Sequence, residues 1–373
     1  MTKLHELNAL GQSIWLDFIR RSFIAQGDMQ ALLDQGVRGV TSNPTIFEKA
    51  IAGSDDYDDD LQQLVAAGKS VDEIYEALVF ADISRAAELL RPLYDATNGA
   101  DGYISLEVSP TLAHNTEGTI AEAKRLFATL DQPNVMIKIP ATPAGIPAIS
   151  AVIGAGINVN VTLIFSLGQY EAVAEAYLSG LEHLAEQGGK LSSVASVASF
   201  FVSRVDTSVD KALAQLGEVE LQGKAAVANA KNAYAHFHTL FSGPRWDKLA
   251  EQGAHVQRPL WASTGTKDPR YPDTLYIDSL IGPDTVNTVP PAALQAFLDH
   301  GTVALTLAAG LDEARAQLAQ LTEHGINLDA ITDQLQDDAV ASFAQSFEAL
   351  MTSIAEKRER LLADQQSVSP SRA

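Results

Sequence analysis

Cysteine is absent from this sequence of 373 residues, which excludes disulfide bonds, thiolate catalysis and zinc–thiolate sites. Positive charge is scarce: 26 Lys and Arg stand against 47 Asp and Glu, giving a formal net charge of −21. Proteins that bind DNA or RNA neutralise phosphates with many cations, so this balance argues against nucleic acid as a partner. It leaves room for a small phosphorylated ligand, which needs only a few cations in one pocket.

Long hydrophobic runs are missing as well. The apolar runs are short, which favours buried strands over membrane-spanning helices, and we expect no membrane partner. The first residues, MTKLHELNALGQSIWLDFIRR, contain no basic region followed by a long apolar segment, so no secretory signal is predicted. The hydrophobic fraction of 46% is enough for a large core and argues against global disorder. We therefore expect a cytoplasmic protein.

Short apolar runs bounded by turn residues recur along the chain and predict eight strands. Several of them are almost continuously hydrophobic, as expected for strands covered on both faces. The predicted strands are Ser13–Asp17, Val37–Ser42, Tyr103–Val108, Val135–Ile139, Asn158–Phe165, Val194–Val202, Pro259–Thr264 and Val286–Val289.

Segments with helical periodicity lie between these runs. The clearest are Val71–Asp95, Thr116–Leu130, Gly168–Gln187 and Gln222–Phe241. Eight strand-then-helix units predict the α/β class and a (β/α)8 TIM barrel with additional C-terminal helices after Asn327. A doubly wound open sheet is the alternative, although no G-x-G-x-x-G fingerprint follows the first strand. We expect residues 1–364 to form one domain and residues 365–373 to form a disordered tail.

Lys138 is an unusual residue for a predicted strand. Of the twelve lysines, it alone lies within an apolar strand-like run, Val135–Ile139, which Pro140 ends. Burial of a lysine favours the neutral amine, and a neutral amine can attack a carbonyl to form a Schiff base. The alternative is a lysine at a strand end that pairs with a carboxylate, and the pattern alone does not decide between the two.

Two carboxylates, Asp17 and Glu107, also lie at the ends of predicted strands. In a β/α barrel the carboxyl ends of the strands form one mouth, so both would converge with Lys138. An amine with two carboxyl groups can form an iminium and move the protons that carbon–carbon cleavage requires. Either carboxylate alone would be better explained as a helix N-cap.

Further polar side chains follow other predicted strands. Asn43 comes before Pro44, where the chain must turn, and it would bind substrate hydroxyls or cap the next helix. Asn160 and Thr162 lie two residues apart on the fifth strand and therefore share a face, which we place inside the barrel.

The sixth and seventh strands end beside cationic residues. Ser199, Phe201 and Arg204 close the sixth run, where serine and arginine can hold a phosphate through charge-assisted bonds. A surface ion pair with Asp206 or Glu220 is the alternative for Arg204. Lys267 follows the seventh run, a place where barrels often bind phosphate.

Most of these residues lie in segments that resemble transaldolase, specifically the longer bacterial branch of that family, and Asp17 lies in a short, correctly placed match, WLD (Trp15–Asp17). The segments occupy the first two thirds of the chain in the family's order. They are GVTSNPTIFEKAI (Gly39–Ile51), SLEVSP (Ser105–Pro110), VMIKIPAT (Val135–Thr142), INVNVTLIFS (Ile157–Ser166) and ASFFVSRVD (Ala198–Asp206). TSNPTIFEKAI and the IKIPAT strand are the most specific.

The resemblance implies a (β/α)8 fold and a transferase of the non-oxidative pentose phosphate pathway that needs no cofactor. It would move a dihydroxyacetone unit from sedoheptulose 7-phosphate or fructose 6-phosphate to glyceraldehyde 3-phosphate or erythrose 4-phosphate. Lys138 would attack the keto carbon, and Asp17 would take the proton of the C4 hydroxyl. Glu107 would move protons through a water near Thr162.

The remaining residues would bind the substrate. By the same resemblance, Asn43 and Asn160 match positions that bind the dihydroxyacetone hydroxyls. Ser199 and Phe201 match pocket positions, and Arg204 matches a phosphate-binding arginine.

Two positions depart from the better-known branch of the family. That branch has an arginine after the seventh strand, where this chain offers Lys267, which keeps the charge but loses the bidentate fork. It also usually has proline at the position of Phe200.

Competing functions remain open at this level. An aldolase on the same scaffold would release free dihydroxyacetone, and a silent sugar-phosphate-binding barrel would not need Lys138, Asp17 and Glu107 together. The run Asp55–Asp60 lacks the glycine and glutamate of an EF-hand loop, so we expect a solvated helix start and no metal site. The sequence does not distinguish a monomer from a homodimer.

Overall fold

Eight parallel strands close into a barrel in sequence order in the computed structural model, which describes residues 2–368. Each strand pairs with its sequence neighbours, and the last pairs back to the first. The (β/α)8 prediction is confirmed, and the open-sheet alternative is wrong because no edge is left between the first and eighth strands. The strands are β1 (Gln12–Leu16), β2 (Gly39–Val40), β3 (Tyr103–Glu107), β4 (Val135–Pro140), β5 (Val159–Ile164), β6 (Ser196–Phe201), β7 (Arg258–Ala262) and β8 (Thr285–Val289).

β2 is shorter than the predicted run Val37–Ser42. Only two residues pair with both neighbouring strands. Just beyond them, the Ser42 hydroxyl donates to the Ser105 carbonyl oxygen at 2.7 Å, so a side chain makes the link to β3. This early end of the ladder frees the residues after β2 to shape the mouth of the barrel.

Helices surround the barrel and cross its mouth. The four helices predicted from periodicity are confirmed to within three residues at each end. The helices are α1 (Lys3–Ala9), α2 (Arg21–Ala25), α3 (Asp28–Gln35), α4 (Pro44–Phe47), α5 (Asp58–Ala66), α6 (Val71–Ala96), α7 (Thr116–Leu130), α8 (Gly145–Ile153), α9 (Leu167–Glu186), α10 (Ser203–Leu216), α11 (Ala225–Leu240), α12 (Pro244–Ala250), α13 (Leu275–Asp278), α14 (Pro291–His300), α15 (Leu311–Glu323) and α16 (Leu328–Val368). None of those in the described part of the chain is long and apolar enough to cross a membrane.

The barrel interior is filled by side chains rather than open. Trp15 of β1 is fully buried and lies across Gly39 of β2. A Cβ atom at position 39 would come within 2.6 Å of the Trp15 ring, so only glycine allows this packing. A solid interior holds the strands, and the residues at their ends, in fixed positions.

Asp101 organises the N-terminal end of the barrel. Its carboxylate pairs with Arg258 at 3.1 Å and with Arg38 at 3.3 Å. Ser13 donates to it at 2.8 Å and the Trp15 indole at 3.4 Å. The buried carboxylate therefore has four partners from different parts of the chain, and this cluster closes the floor of the barrel.

α16 crosses the opposite, C-terminal end. It packs against α4, α5, α6 and α10, and it also contacts the end of β5. The helix continues to Val368, four residues into the segment predicted to be a disordered tail, and residues 369–373 lie outside the described residues. The single-domain division stays a prediction.

The acidic run Asp55–Asp60 is only partly solvated. A helix does begin within it, at Asp58, as predicted. However, Asp56 binds Arg20 at 2.5 Å, Asp58 binds Lys357 at 2.7 Å, and Asp60 binds Arg21. The description as simply solvated is wrong, because these carboxylates attach α5 to α2 and α16. Within residues 2–368, no group of three or more His, Asp or Glu side chains is arranged to hold a metal ion.

Candidate active site

Three of the predicted site residues form one layer inside the barrel. Glu107 of β3 is in register with Lys138 of β4, which is in register with Asn160 of β5. Directly paired residues of parallel strands point to the same face of a sheet, so all three side chains share the interior face. All three are buried. The register of three neighbouring strands thus brings an amine, a carboxyl group and an amide together.

Lys138 is held from two sides. Its Nζ lies 3.3 Å from Glu107 Oε2 and donates to the Ser42 carbonyl oxygen at 3.2 Å. The side chain is 6% exposed, so the amine meets little bulk solvent. The sequence left open a carboxylate-paired lysine and a buried reactive one. Lys138 is both buried and paired.

Asp17 lies immediately after β1, and residues of both neighbouring strands position it. Thr41, just past β2, donates its hydroxyl to Asp17 Oδ1 at 2.8 Å. The Thr41 hydroxyl has only one proton and gives it to Asp17. The Thr288 hydroxyl of β8 therefore donates to Thr41 Oγ1, at 2.6 Å. The next helix is not capped by Asp17, because its N-cap residue is Arg20. The carboxylate is therefore oriented by two threonines and is not a helix cap.

Both carboxyl groups titrate above their ordinary range. Burial raises the pKa of Asp17, and the charge of Lys138 opposes that effect. Burial likewise raises the pKa of Glu107, again against the charge of Lys138. Burial disfavours the ionised form, so each group exchanges protons more readily near neutral pH than an exposed carboxyl group does. Perturbed carboxyl groups of this kind are typical of general acid–base sites.

Asn160 is fixed by two serines. Its amide donates to Ser105 Oγ at 2.9 Å, and Ser199 donates its hydroxyl to Asn160 Oδ1 at 2.7 Å. Thr162, on the same face of β5, has a buried hydroxyl with no hydrogen-bond partner among the described residues. A buried hydroxyl is costly without a partner, so Thr162 Oγ1 is available to a ligand or a water.

Asn43 caps a helix, which is one of its two predicted roles. Its Oδ1 accepts from the Ile46 backbone N–H at 2.9 Å, and the helix begins at Pro44. This bond uses only the carbonyl oxygen of the side chain, so the amide NH2 group is still able to donate. The cap therefore holds Asn43 in place without excluding a role in binding.

Two cations, Arg204 and Lys267, lie at the β6–β7 side of the mouth. Arg204 lies in the first turn of α10, with its guanidinium carbon 5.5 Å from the centroid of Phe201. Burial lowers the pKa of Arg204, although a guanidinium remains charged at neutral pH. The predicted alternative, an ion pair with Asp206 or Glu220, is wrong. Asp206 instead accepts from the Ala226 N–H at 2.7 Å and from the Tyr276 hydroxyl at 2.8 Å.

These residues surround a cavity of about 460 Å³ at the C-terminal end of the barrel. Eight of the ten predicted site residues line it, and the other two, Glu107 and Asn160, are the buried neighbours of Lys138 in its layer. The eight are Asp17, Asn43, Lys138, Thr162, Ser199, Phe201, Arg204 and Lys267. Five Lys and Arg side chains and a single carboxylate, Asp17, line the cavity. Arg20 is paired with Asp56 and Lys138 with Glu107, and the cavity still carries a net positive charge in a chain of net charge −21.

Several lining residues were not identified from the sequence. Thr41 and Thr288 orient Asp17, Arg20 and Lys49 add positive charge, and Phe343 comes from α16. The threonines end strands next to β1, so strand order was the signal that could have found them. No comparable signal pointed to Phe343, because its helix lies outside the barrel repeat.

Comparisons with known proteins agree with this geometry. The chain matches the model of the Transaldolase/Fructose-6-phosphate aldolase family over residues 14–354. It is 51% identical to Transaldolase 1 of Streptomyces avermitilis, with 94% of each chain covered. It is 50% identical to the Transaldolase of Thermobifida fusca, with 95% of this chain and 98% of that protein covered. Its general function is accordingly that of a transferase enzyme of the transaldolase type. On its sequence, its closed barrel and these relatives, the chain belongs to the Transaldolase/Fructose-6-phosphate aldolase family.

Proposed function

We propose that this chain transfers a dihydroxyacetone unit between sugar phosphates through a Schiff base on Lys138. The donor is fructose 6-phosphate or sedoheptulose 7-phosphate, and the acceptor is erythrose 4-phosphate or glyceraldehyde 3-phosphate. The observation that carries the proposal is the buried Lys138 amine, 3.3 Å from Glu107, at a cavity that it shares with Asp17. The reaction belongs to carbohydrate metabolism and the pentose phosphate pathway, which follows from the family.

The first half of the reaction forms the covalent intermediate. The neutral amine of Lys138 adds to the C2 carbonyl of fructose 6-phosphate, and the resulting carbinolamine loses water to give an iminium. Glu107 exchanges the protons of this dehydration through a water, with the Thr162 hydroxyl as a further hydrogen-bonding group. The raised pKa of Glu107 suits a group that both gives and takes a proton.

Cleavage and transfer follow. Asp17 takes the proton of the C4 hydroxyl, the C3–C4 bond breaks, and its electron pair moves toward the iminium to leave an enamine on Lys138. Glyceraldehyde 3-phosphate then departs. The enamine attacks the carbonyl carbon of erythrose 4-phosphate while Asp17 returns its proton to the carbonyl oxygen. Water then hydrolyses the new iminium and releases sedoheptulose 7-phosphate and the free amine.

The other residues hold the substrate. Asn43 and Asn160 bind the dihydroxyacetone hydroxyls, and Ser199 and Phe201 shape the pocket. Arg204 binds the phosphate, and Lys267 supplies a second charge where an arginine is the more usual residue. Neither cation has a carboxylate partner among the described residues, so a phosphate would meet two uncompensated charges. The cytoplasmic location stays a prediction of the sequence.

Borohydride trapping tests the proposal. The protein is incubated with fructose 6-phosphate, reduced, digested and examined by mass spectrometry. We expect a dihydroxyacetone-sized adduct on Lys138, present also in the surface control Lys124→Ala and absent in Lys138→Ala. An adduct that persists in Lys138→Ala, or none in the unaltered protein, would overturn the Schiff-base mechanism. Adding erythrose 4-phosphate should yield sedoheptulose 7-phosphate, and free dihydroxyacetone in its place would favour the aldolase.

A further inference from the structure

α16 supplies one wall of the cavity. Gln336 of this helix is buried and donates its amide to two main-chain oxygens, that of Ala141 at 3.0 Å and that of Leu163 at 2.9 Å. Ala141 directly follows β4, and Leu163 lies on β5 at an irregularity of the ladder, with φ of 61°. The helix is therefore attached to the ends of the two strands that carry Lys138 and Thr162.

Phe343 follows Gln336 by two helical turns and so lies on the same face of α16. Its side chain is buried, it lines the cavity, and its ring centroid is 5.7 Å from Lys138 Nζ. A cation within about 6 Å of an aromatic ring is favoured by the ring, whereas the ring offers water only a weak hydrogen-bond acceptor. The ring therefore favours a charged iminium and excludes water from that side of it.

We propose that Phe343 keeps water from the covalent intermediate and thereby sets the ratio of transfer to release of free dihydroxyacetone. The inference rests on the proposed Schiff-base function. Phe343 acts on the fate of the intermediate and takes no part in proton transfer.

The chemistry of release explains why water matters at this point. After C3–C4 cleavage, Lys138 carries an enamine. Release requires that C3 takes a proton, which restores the iminium, and that one water molecule adds to C2. The carbinolamine then expels the Lys138 amine and leaves dihydroxyacetone. Transfer needs no water until the acceptor has bonded to C3, so shielding at this stage selects transfer.

A series of substitutions at Phe343 tests the proposal. The protein is supplied with fructose 6-phosphate and erythrose 4-phosphate, and free dihydroxyacetone and sedoheptulose 7-phosphate are measured together. We expect Phe343→Ala to raise the ratio of free dihydroxyacetone to sedoheptulose 7-phosphate about tenfold, and Phe343→Leu to raise it about twofold. If Phe343→Ala does not fold, the leucine variant decides alone.

Leu350→Ala is the matched control. Leu350 lies on the same face of α16, seven residues further on, and is fully buried, but it does not line the cavity. Its truncation should lower stability and leave the product ratio unchanged. An unchanged ratio in both Phe343 variants, or an equal rise in Leu350→Ala, would overturn the role of Phe343. The Lys138 adduct in the unaltered protein separates the two claims, since its absence overturns the Schiff base itself.

Discussion

The two ends of the barrel treat buried charge in opposite ways. At the N-terminal end, Asp101 has two arginines and two further donors around it. At the C-terminal end, the carboxyl groups of Asp17 and Glu107 have raised pKa values, and Arg204 has no carboxylate partner among the described residues. The N-terminal end compensates its charges within the protein, whereas the C-terminal end pairs Lys138 with Glu107 but leaves Arg204 for a ligand.

This difference separates stability from chemistry. Removing one partner of a compensated buried ion pair destabilises the fold, because the other ion is left buried and unpaired. An uncompensated buried charge lowers the stability of the fold until a partner binds. A substrate of opposite charge can supply that partner. Substitutions at the two ends should accordingly change different quantities, and three of them test the comparison.

The largest effect is expected from Asp17→Asn. Removal of the proposed general base should lower kcat about 10²–10⁴-fold, while the Lys138 adduct still forms. Steady-state kinetics with fructose 6-phosphate and erythrose 4-phosphate measure the loss. A kcat within a factor of two of the unaltered protein would remove Asp17 from the role of base.

The same substitution should change how the free energy of unfolding depends on pH. The folded-state pKa of Asp17 is raised, so the stability contributed by its protonated form is present at acid pH and lost as the pH rises through that pKa. Asp17→Asn should thus be no less stable than the unaltered protein at pH 7. Urea titrations at several pH values check this. A variant that is less stable than the unaltered protein at pH 7 would contradict the claim that the Asp17 charge lowers stability.

Asp101→Asn should have the opposite outcome at the other end. It keeps the shape but leaves Arg38 and Arg258 unpaired, so we expect the free energy of unfolding to fall by about 3 kcal/mol. Asp95→Asn is the control, because its pair with Arg91 is exposed and is worth about 0.5 kcal/mol or less. Chemical denaturation measures both changes. Loss of kcat in folded Asp101→Asn would contradict the claim that the N-terminal end of the barrel serves stability and the C-terminal end serves catalysis.

Arg204→Gln should give the smallest effect, and only with phosphorylated substrates. A charge-assisted bond to phosphate is worth about 1.5–3 kcal/mol, so kcat/KM for fructose 6-phosphate should fall about 10–100-fold. The rate with fructose, which has no phosphate, should change little, and stability should not fall. Equal losses with both sugars would show that Arg204 supports the pocket and does not bind phosphate.

The sequence was most informative where the local pattern sets the structure. The apolar run Val135–Ile139 placed Lys138 on a buried strand, and the register of the structure puts Glu107 and Asn160 beside it. The resemblance supplied their proposed roles. Boundaries were less exact: β2 ends at Val40, and beyond it the Thr41 N–H bonds the Leu16 carbonyl oxygen while the Ser42 side chain makes the link to β3.

Long-range packing could not be read from the sequence. The sequence predicted helices after Asn327, but nothing in it places Phe343 at the cavity beside Lys138. Asp56 and Asp60 looked solvated because their partners, Arg20 and Arg21, lie on a helix well before them in the chain. Both depend on how distant elements meet, which a local pattern does not encode.

The attachment of α16 also orders events during synthesis. Thr45 bonds Ser346 at 2.9 Å across 301 residues of chain, so the two sides of this contact are made far apart in time. All eight strands leave the ribosome before Phe343 does. In a barrel that folds as it is made, the Lys138 amine therefore lacks this wall of its cavity until α16 arrives. With the roles proposed for Lys138 and Phe343, docking of α16 would be the step that turns a folded barrel into a selective enzyme.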